Sequence, residues 1–245
     1  MNRSTFVTLT SAIGILCCVP TAIHALVIDD FEVGALVKLD DLSSGGVSEL
    51  QLGLDPAHTA ATARYIAFNA SDPFPFGDTG AVTVQVDTAD GGALRYLPDP
   101  GLTAANFIVN YGQTRFGLPP MSLDLLADGA TQLSFEFGST RREDQLPFSM
   151  DIRLSSGSGT SFGTFLPLPV SPDTSRLNIP FSQILSQSPN FDLSRVTIIQ
   201  FGSANGTISG PFVLNKIETI PEPSTVSCLV IGLLATITRR CSRRT

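Results

Sequence analysis

The stretch FSMDIRLSSGSGTSFGTFLP, residues 148–167, decides the fold class of this chain. Its two halves, 148–155 and 160–167, alternate apolar with small or polar residues, and SGSG at 156–159 separates them. Alternation with a period of two is typical of a half-buried strand, and a short Gly/Ser connection is typical of a hairpin. The stretch therefore predicts two adjacent antiparallel strands.

The same pattern recurs on both sides of this hairpin, with Gly, Pro, Asp, Asn and Ser between the runs. TADGG at 88–92 predicts a second hairpin, and single helical turns are expected at 123–126 and within FSQILSQ (181–187). The remaining strands are predicted at 26–32, 46–54, 63–70, 80–87, 91–98, 105–112, 131–138, 175–184, 194–202 and 210–219. A dozen short strands with almost no helix indicate an all-β fold, an antiparallel β-sandwich of jelly-roll type.

The N-terminal segment, residues 1–25, has the layout of a secretory signal peptide. Arg3 precedes an uncharged, largely apolar run at 6–19, and we expect cleavage after Ala25. An N-terminal membrane anchor is disfavoured because the run is shorter than the roughly 20 residues that a bilayer needs. Lipid attachment at Cys17 or Cys18 is also disfavoured, because a leucine precedes them where a small residue is expected.

The C-terminal segment, residues 220–245, has three parts in a fixed order. Pro221, Glu222 and Pro223 come first, and we expect that they cannot continue a strand, because proline lacks the N–H donor. Val226–Thr238 is uncharged and mostly apolar, which predicts a short transmembrane helix. The basic residues that follow should stay on the cytoplasmic side; they are Arg239, Arg240, Arg243 and Arg244.

This tail resembles the PEP-CTERM sorting signal of Gram-negative bacteria that build extracellular polysaccharide. The likeness lies in PEPST at 221–225, the apolar run VSCLVIGLLATIT and the basic RRCSRR. The resemblance implies recognition and cleavage near Pro-Glu-Pro by an exosortase, a membrane protease, followed by release or transfer to the cell surface. An ordinary C-terminal membrane anchor without processing is the alternative. Cys228 and Cys241 have no assigned role.

Between these two segments lies the predicted sandwich, residues 26–219. Residues 26–220 hold 10 Lys and Arg against 21 Asp and Glu, a net charge of −11. Such a surface repels nucleic acid and anionic lipid and suits divalent cations or neutral partners. All four cysteines lie in the terminal segments, so no disulfide is expected in the sandwich. The proline-rich stretch 166–173 is read as a connection between strands, with a linker between two domains as the alternative.

The order of strands from Leu123 onward is similar to the second half of galactose-binding-like jelly rolls, the fold of many carbohydrate-binding modules. The opening VIDDFE (27–32) and the closing LNKI (214–217) fit that family, although Asn215 replaces its usual aspartate. The resemblance implies that the first and last strands lie side by side. It says little about the ligand.

Few residues point to catalysis. His58 is the one histidine of residues 26–220, and we interpret it as a surface residue without a role. The absence of cysteine there excludes a Cys/His dyad and a Cys/His zinc site. A glycosidase would need two carboxylates; candidates by type alone are Asp29, Asp30, Glu32, Asp40, Asp41, Glu136, Asp144 and Asp151. On a strand Asp30 and Glu32 would share a face.

Aromatic platforms for sugars are also scarce, because the chain has no tryptophan and three tyrosines. The phenylalanines of SFEF (134–137) and GTF (163–165) are expected to pack in the core. Phe74 and Phe76 alternate with prolines in DPFPFGD (72–78), which makes this stretch a candidate ligand-binding loop.

A calcium ion between the first and last strands is predicted from the hard oxygen ligands that calcium prefers. The opening strand offers Asp29, Asp30 and Glu32, and the closing strand offers Asn215 and Glu218. The alternative is that these acids are solvated, with Lys216 as a simple ion-pair partner.

Taken together, the sequence predicts an exported, non-enzymatic protein of the cell surface or extracellular matrix with a structural or adhesive role. Its expected partners are an exosortase-type membrane protease, the inner membrane in transit and extracellular polysaccharide, but no nucleic acid. A carbohydrate-binding module with a specific glycan ligand is the first alternative, and a hydrolase is the second.

Overall fold

The computed structural model describes residues 25–40, 46–70, 81–89, 91–99, 105–138, 149–167, 174–203 and 211–221. These ranges contain thirteen strands and one short α helix, α1 (Phe181–Gln187). The strands are β1 (Val27–Asp29), β2 (Leu36–Asp40), β3 (Val47–Leu52), β4 (Ala63–Ala70), β5 (Val82–Asp87), β6 (Ala93–Pro98), β7 (Ala105–Tyr111), β8 (Ala130–Phe137), β9 (Ser149–Ser156), β10 (Ser161–Pro167), β11 (Ser175–Pro180), β12 (Val196–Ser203) and β13 (Phe212–Pro221). Single 3-10 turns lie at Thr114–Phe116 and Ala127–Gly129.

The strands form two antiparallel sheets packed as a sandwich, which confirms the predicted fold class. The seven-stranded sheet has the order β11-β8-β13-β6-β5-β2, with β1 also paired to β13, and the six-stranded sheet has the order β10-β9-β12-β7-β4-β3. The hairpin at 148–167 is present as β9 and β10, where Ser155 pairs with Ser161. The second hairpin is present as β5 and β6.

One apolar cluster fills the space between the sheets, and strand alternation supplies it. On β9, for example, Ile152 and Leu154 point inward while Asp151 and Arg153 point outward. Four rings from both sheets meet at its centre with centroid distances of 4.8 to 6.2 Å; they are Tyr96, Phe107, Phe201 and Phe212. Aromatic side chains of this size dominate the energy of such a core.

The first and last strands lie side by side, as the jelly-roll resemblance implied. Val27 of β1 pairs with Glu218 of β13, and the Leu26 amide donates to the Thr219 hydroxyl at 3.1 Å. The expectation that Pro221 cannot continue a strand was wrong, because β13 ends at Pro221, where it pairs with Ala130 next to a register shift. Proline is tolerated there because a strand end does not require its missing donor.

Strand β2 was not predicted from the sequence. Its apolar residues Val37 and Leu39 face outward and are 66% and 58% exposed, whereas Lys38 and Asp40 point toward the other sheet. Lys38 pairs with Glu49 of β3 at 3.1 Å, across the open side of the sandwich. Leu36 is buried, but the other two apolar residues of β2 face outward, as an edge strand allows.

Among the described residues, none of the helices is long and apolar enough to cross a membrane. Several predictions lie outside the described residues: the signal peptide before Ala25, the loop with Phe74 and Phe76, and the tail from Glu222 onward with Pro223 and its four arginines.

Candidate functional site

The outer face of the six-stranded sheet carries a row of side chains that runs across four neighbouring strands. Tyr65 on β4 pairs with Asn110 on β7, which pairs with Gln200 on β12, which pairs with Arg153 on β9. Their neighbours along each strand are core residues, so strand alternation turns this row away from the core. The row combines an aromatic ring, two amides and a guanidinium.

A second row, two residues along each strand from the first, contains two small residues, Ala67 and Gly202. Ala67, Ile108, Gly202 and Asp151 occupy the same four strands. A Cβ atom at Gly202 would lie 2.3 Å from the Phe107 carbonyl oxygen, so only glycine fits there. The small side chains leave a depression between the bulkier residues on either side.

Two clefts lie in this depression, with volumes of about 530 and 310 Å³. Tyr65, Ala67 and Phe116 line the larger cleft, and Ile108 and Ser203 line both. Because they share these two lining residues, the clefts are adjacent, and we call the two together the outer groove.

The aromatic wall of the outer groove is built by the turn after β7. The ring of Phe116 stacks on Tyr65 with centroids 4.4 Å apart and an interplanar angle of 5°. The guanidinium of Arg115 lies 4.6 Å from the centre of the Phe116 ring, a cation–π contact. Gly117, with φ of 77°, ends the turn in the left-handed conformation that glycine adopts without steric cost.

The smaller cleft is more polar. Arg153 donates from Nε and Nη2 to Oδ2 of Asp151, at 2.8 and 2.7 Å, so the two side chains hold each other. Gln200 and Phe165 line the same cleft. The amide of Asn110 is buried, has no hydrogen-bond partner among the described residues and lines neither cleft, so Gln200, Arg153 and Asp151 supply the polar groups here. The outer groove therefore offers both rings and directional polar groups.

Sequence reasoning missed most of this site. GTF was expected to pack in the core, but Phe165 is 56% exposed on the outer face. Strand alternation contained the necessary information, because Phe162 is buried and Phe165, three positions later, must face the other way. Phe135 and Phe137 of SFEF are buried as expected. Nothing in the sequence places Phe116 on Tyr65, because that contact depends on the path of a turn.

The five residues predicted to bind calcium are divided among different partners. Asp29 is fully buried and accepts hydrogen bonds from Arg64 at 2.9 and 2.7 Å and from Tyr111 at 2.8 Å. Glu218 pairs with Lys216 at 2.9 Å and with Arg176 at 3.1 Å. Since these two carboxylates already have cationic partners, they do not fit a shared calcium site with the remaining acids.

Asp30 and Glu32 do come together, but with a histidine. Nδ1 of His58 lies 3.1 Å from an oxygen of Asp30 and 3.3 Å from one of Glu32. The hydrogen bond to Asp30 is the main cause that raises the pKa of His58 above its ordinary value. His58 therefore pairs with two acids, which the sequence did not predict. The acids meet because Phe31 between them has φ of 59°, not because they share a strand face, since β1 ends at Asp29.

Asp30, Glu32 and His58 are of the residue types that bind metal ions, and their ligand atoms lie within 4.8 Å of one another. Calcium prefers oxygen, whereas an imidazole nitrogen suits transition metals. Calcium binding at this place stays a prediction, and it now depends on Asp30 and Glu32. The side-chain oxygen of Asn215 lies close to Gly138, the residue that follows β8: a Cβ atom at Gly138 would be 3.2 Å from it.

No protein-family model matches the chain, and no curated protein matches it. Among solved structures, the family 11 carbohydrate-binding module of cellulosomal cellulase Lic26A-Cel5E of Clostridium thermocellum is similar, with 18% identity over 82% of this chain and 96% of that one, and a TM-score of 0.39. The family 30 carbohydrate-binding module of cellulosomal cellulase Cel9D-Cel44B of Clostridium thermocellum has 16% identity over 64% and 88%, with a TM-score of 0.37.

The C-terminal family 22 carbohydrate-binding module of Clostridium thermocellum Xyn10B has 13% identity over 83% of this chain and 98% of that one, with a TM-score of 0.34. All three neighbours are thus described as carbohydrate-binding modules. Because these TM-scores lie below 0.5, the likenesses carry no argument about this chain, and its fold class rests on its own two sheets.

Proposed function

We propose that this chain is an exported, non-catalytic β-sandwich that binds carbohydrate in the outer groove. The observation that carries the proposal is the pair of rows on the six-stranded sheet, with Tyr65, Phe116 and Phe165 beside the amide and charged groups of Gln200 and Arg153. Ligand sites are typically concave, largely apolar and furnished with a few placed polar groups. Sugars present apolar C–H faces to rings and hydroxyl groups to hydrogen-bonding side chains.

The lining of the outer groove favours binding over hydrolysis. A glycosidase uses two carboxylates on either side of the scissile bond. Among the described residues that line the outer groove, Asp151 is the one carboxylate, and Arg153 holds it in an ion pair. A hydrolase at this place would lack its second acid within the described lining.

The experiment is a comparison of glycan binding by the full chain and by two tryptophan variants, with a glycan array followed by calorimetry. Ala67→Trp puts a large side chain into the outer groove, and Thr83→Trp puts the same side chain on the outer face of the seven-stranded sheet. We expect Ala67→Trp to weaken binding at least tenfold and Thr83→Trp to leave it unchanged. Equal binding by both variants, or no binding to any glycan by the parent, would contradict the proposal.

We also propose that the tail sorts the protein to the cell surface, where a structural or adhesive role in extracellular polysaccharide follows from groove binding. This proposal is supported by the sequence order of Pro-Glu-Pro, apolar run and arginines at 221–245. Because Pro221 belongs to β13, the informative change is Glu222→Ala with Pro223→Ala, and Pro221→Ala is the control for strand damage.

In a host with an exosortase, we expect the double variant to accumulate uncleaved in the inner membrane. The parent should be processed and reach the surface. Processing of the double variant at the parental rate would rule out the sorting proposal, and the two forms are told apart by mass spectrometry of the C-terminus.

A further inference from the structure

We infer that the ligand of the outer groove is a glycan that carries carboxylate groups, such as a polyuronate. This inference rests on the proposed carbohydrate-binding function and adds the chemical class of the ligand. The first observation is that the lining of the outer groove has the opposite net charge to the domain as a whole. Residues 26–220 have a net charge of −11, yet the described lining of the outer groove has Arg115 and Arg153 against Asp151, a formal charge of +1.

Arg115 differs from most of the described arginines, because it has no carboxylate partner in the part of the chain that the structure describes. Arg64, Arg95 and Arg176 each form an ion pair with an aspartate or glutamate, at distances of 2.5 to 3.6 Å. Arg115 is exposed, lies over the Phe116 ring and lines the smaller cleft. In a domain with twice as many acids as bases, an arginine without an acidic partner in a groove is available to an external anion.

Arg153 lines the same cleft, and some of its N–H donors are not used in the contact with Asp151. Its side chain is 59% exposed, and its contacts with Asp151 use Nε and Nη2, which leaves Nη1 without an acid partner among the residues that the structure describes. The guanidinium group carries five N–H donors in a planar fork that matches a carboxylate. Asp151 fixes the direction of this fork, so that the free donors are ordered before a ligand binds.

A neutral glycan does not require this arrangement. Rings and amides suffice for hydroxyl groups and C–H faces, whereas two guanidinium groups in one cleft of about 310 Å³ match a ligand with negative charge. The surrounding negative surface repels polyanions at long range. A local positive groove is therefore what would allow a polyuronate chain to bind such an acidic protein.

The test uses the full chain in mild detergent and native affinity gels that contain polygalacturonate, alginate or hyaluronate, each beside its carboxyl-reduced form. We expect retardation by at least one polyuronate, with a Kd at least tenfold lower than for the reduced polymer, and weaker binding as salt concentration rises. Dextran sulfate serves as a polyanion without carboxylates. Retardation by dextran sulfate equal to that by every polyuronate would overturn the inference, because charge alone would then explain binding.

Two glutamine variants locate the effect. Arg115→Gln should weaken polyuronate binding at least fivefold without changing the melting temperature. Arg195→Gln is the matched control, because Arg195 is also exposed, has no carboxylate partner among the described residues and does not line the outer groove. Equal loss in both variants would overturn the inference.

The outcomes separate this inference from the function on which it rests. Binding of the reduced or other neutral glycans as tightly as the polyuronates overturns the carboxylate preference and leaves carbohydrate binding intact. Binding of no glycan at all overturns both.

Discussion

Arg64 donates to both carboxylate oxygens of Asp29, at 2.9 and 2.7 Å, and neither side chain is exposed. Asp29 belongs to the seven-stranded sheet and Arg64 to the six-stranded one, so the ion pair joins the two sheets. Tyr111 and the Phe31 amide also donate to the same carboxylate, at 2.8 and 2.9 Å. The pair thus ties the chain after β1 to the opposite sheet.

The first prediction concerns this pair. Arg64→Met should lower the free energy of unfolding by about 3–5 kcal/mol, because it leaves an uncompensated carboxylate in the core. The double variant Asp29→Asn with Arg64→Met should recover part of that loss, since an amide oxygen can still accept from Tyr111. Urea denaturation measures both, and a double variant less stable than Arg64→Met would contradict the argument.

The same pair predicts a dependence on pH. Burial raises the pKa of Asp29 above its ordinary value, and Arg64 opposes that shift. Without Arg64 the raised pKa should rise further, so the folded form of Arg64→Met should take up a proton that the unfolded form releases. Its stability should therefore fall, relative to the parent, as pH increases from about 4 toward 7. An equal deficit at both ends of that range would argue against a buried charge as the cause.

The second prediction concerns His58. Its pKa should lie above the ordinary value in the folded chain, mainly because of the hydrogen bond to Asp30, and Asp30→Asn should lower it. The stabilising contribution of the charged imidazole is complete below the unfolded pKa of about 6.5 and is lost as pH rises through the folded pKa. NMR titration of the imidazole gives the values, with His58→Gln to assign the signal. A parental pKa at or below that of the variant would refute the contact.

Calcium dependence is the third prediction. If calcium binds at Asp30 and Glu32, it should raise the melting temperature of the full chain, EDTA should reverse the change, and Asp30→Asn should abolish it. A ligand at 100 times its Kd adds about 2.7 kcal/mol to stability. Asp124→Asn, an exposed acid on another surface loop, is the control. An unchanged melting temperature together with no calcium by elemental analysis would end this prediction.

The fourth prediction compares two phenylalanines of β10 that face opposite ways. Phe162→Ala should cost about 3–5 kcal/mol of unfolding free energy, because its ring lies in the core. Phe165→Ala should change stability by no more than about 0.5 kcal/mol, because the ring lies on the surface of the outer groove. Thermal or urea unfolding checks both, and similar losses would mean that Phe165 is structural.

Much of the fold could be predicted from the sequence, because a sandwich strand has a local signature. The predicted strands include the hairpin at 148–167 and the neighbouring first and last strands, and each has a counterpart in the structure. Two are shorter than predicted, because β1 ends at Asp29 and β11 ends at Pro180, where α1 begins. β2 was missed because an edge strand at the open side of a sandwich need not bury all of its apolar residues: Leu36 is buried, but Val37 and Leu39 point outward. The alternation of apolar and polar residues predicts a strand only where one face is buried, and an edge strand is buried incompletely.

The candidate site was much less predictable. Tyr65, Gln200 and Arg153 become neighbours only through the register of non-consecutive strands, which a single sequence does not contain. The contact of His58 with Asp30 could not be predicted either, because it spans 28 positions and depends on the left-handed backbone at Phe31. Asp29, assigned to calcium, binds Arg64 across the core, a contact equally invisible in sequence order.

The place of β13 has a consequence for how the protein folds. This strand, made from residues 212–221, lies between β8 on one side and β6 and β1 on the other, so the seven-stranded sheet is incomplete until the last part of the sandwich has emerged. β13 pairs with β1, which lies nearly the whole length of the domain away in the sequence. Strand pairs between such distant segments form slowly during folding. Folding of this sheet should therefore be completed only once residues 212–221 are available, with the edges of β8 and β6 exposed to chaperones until then.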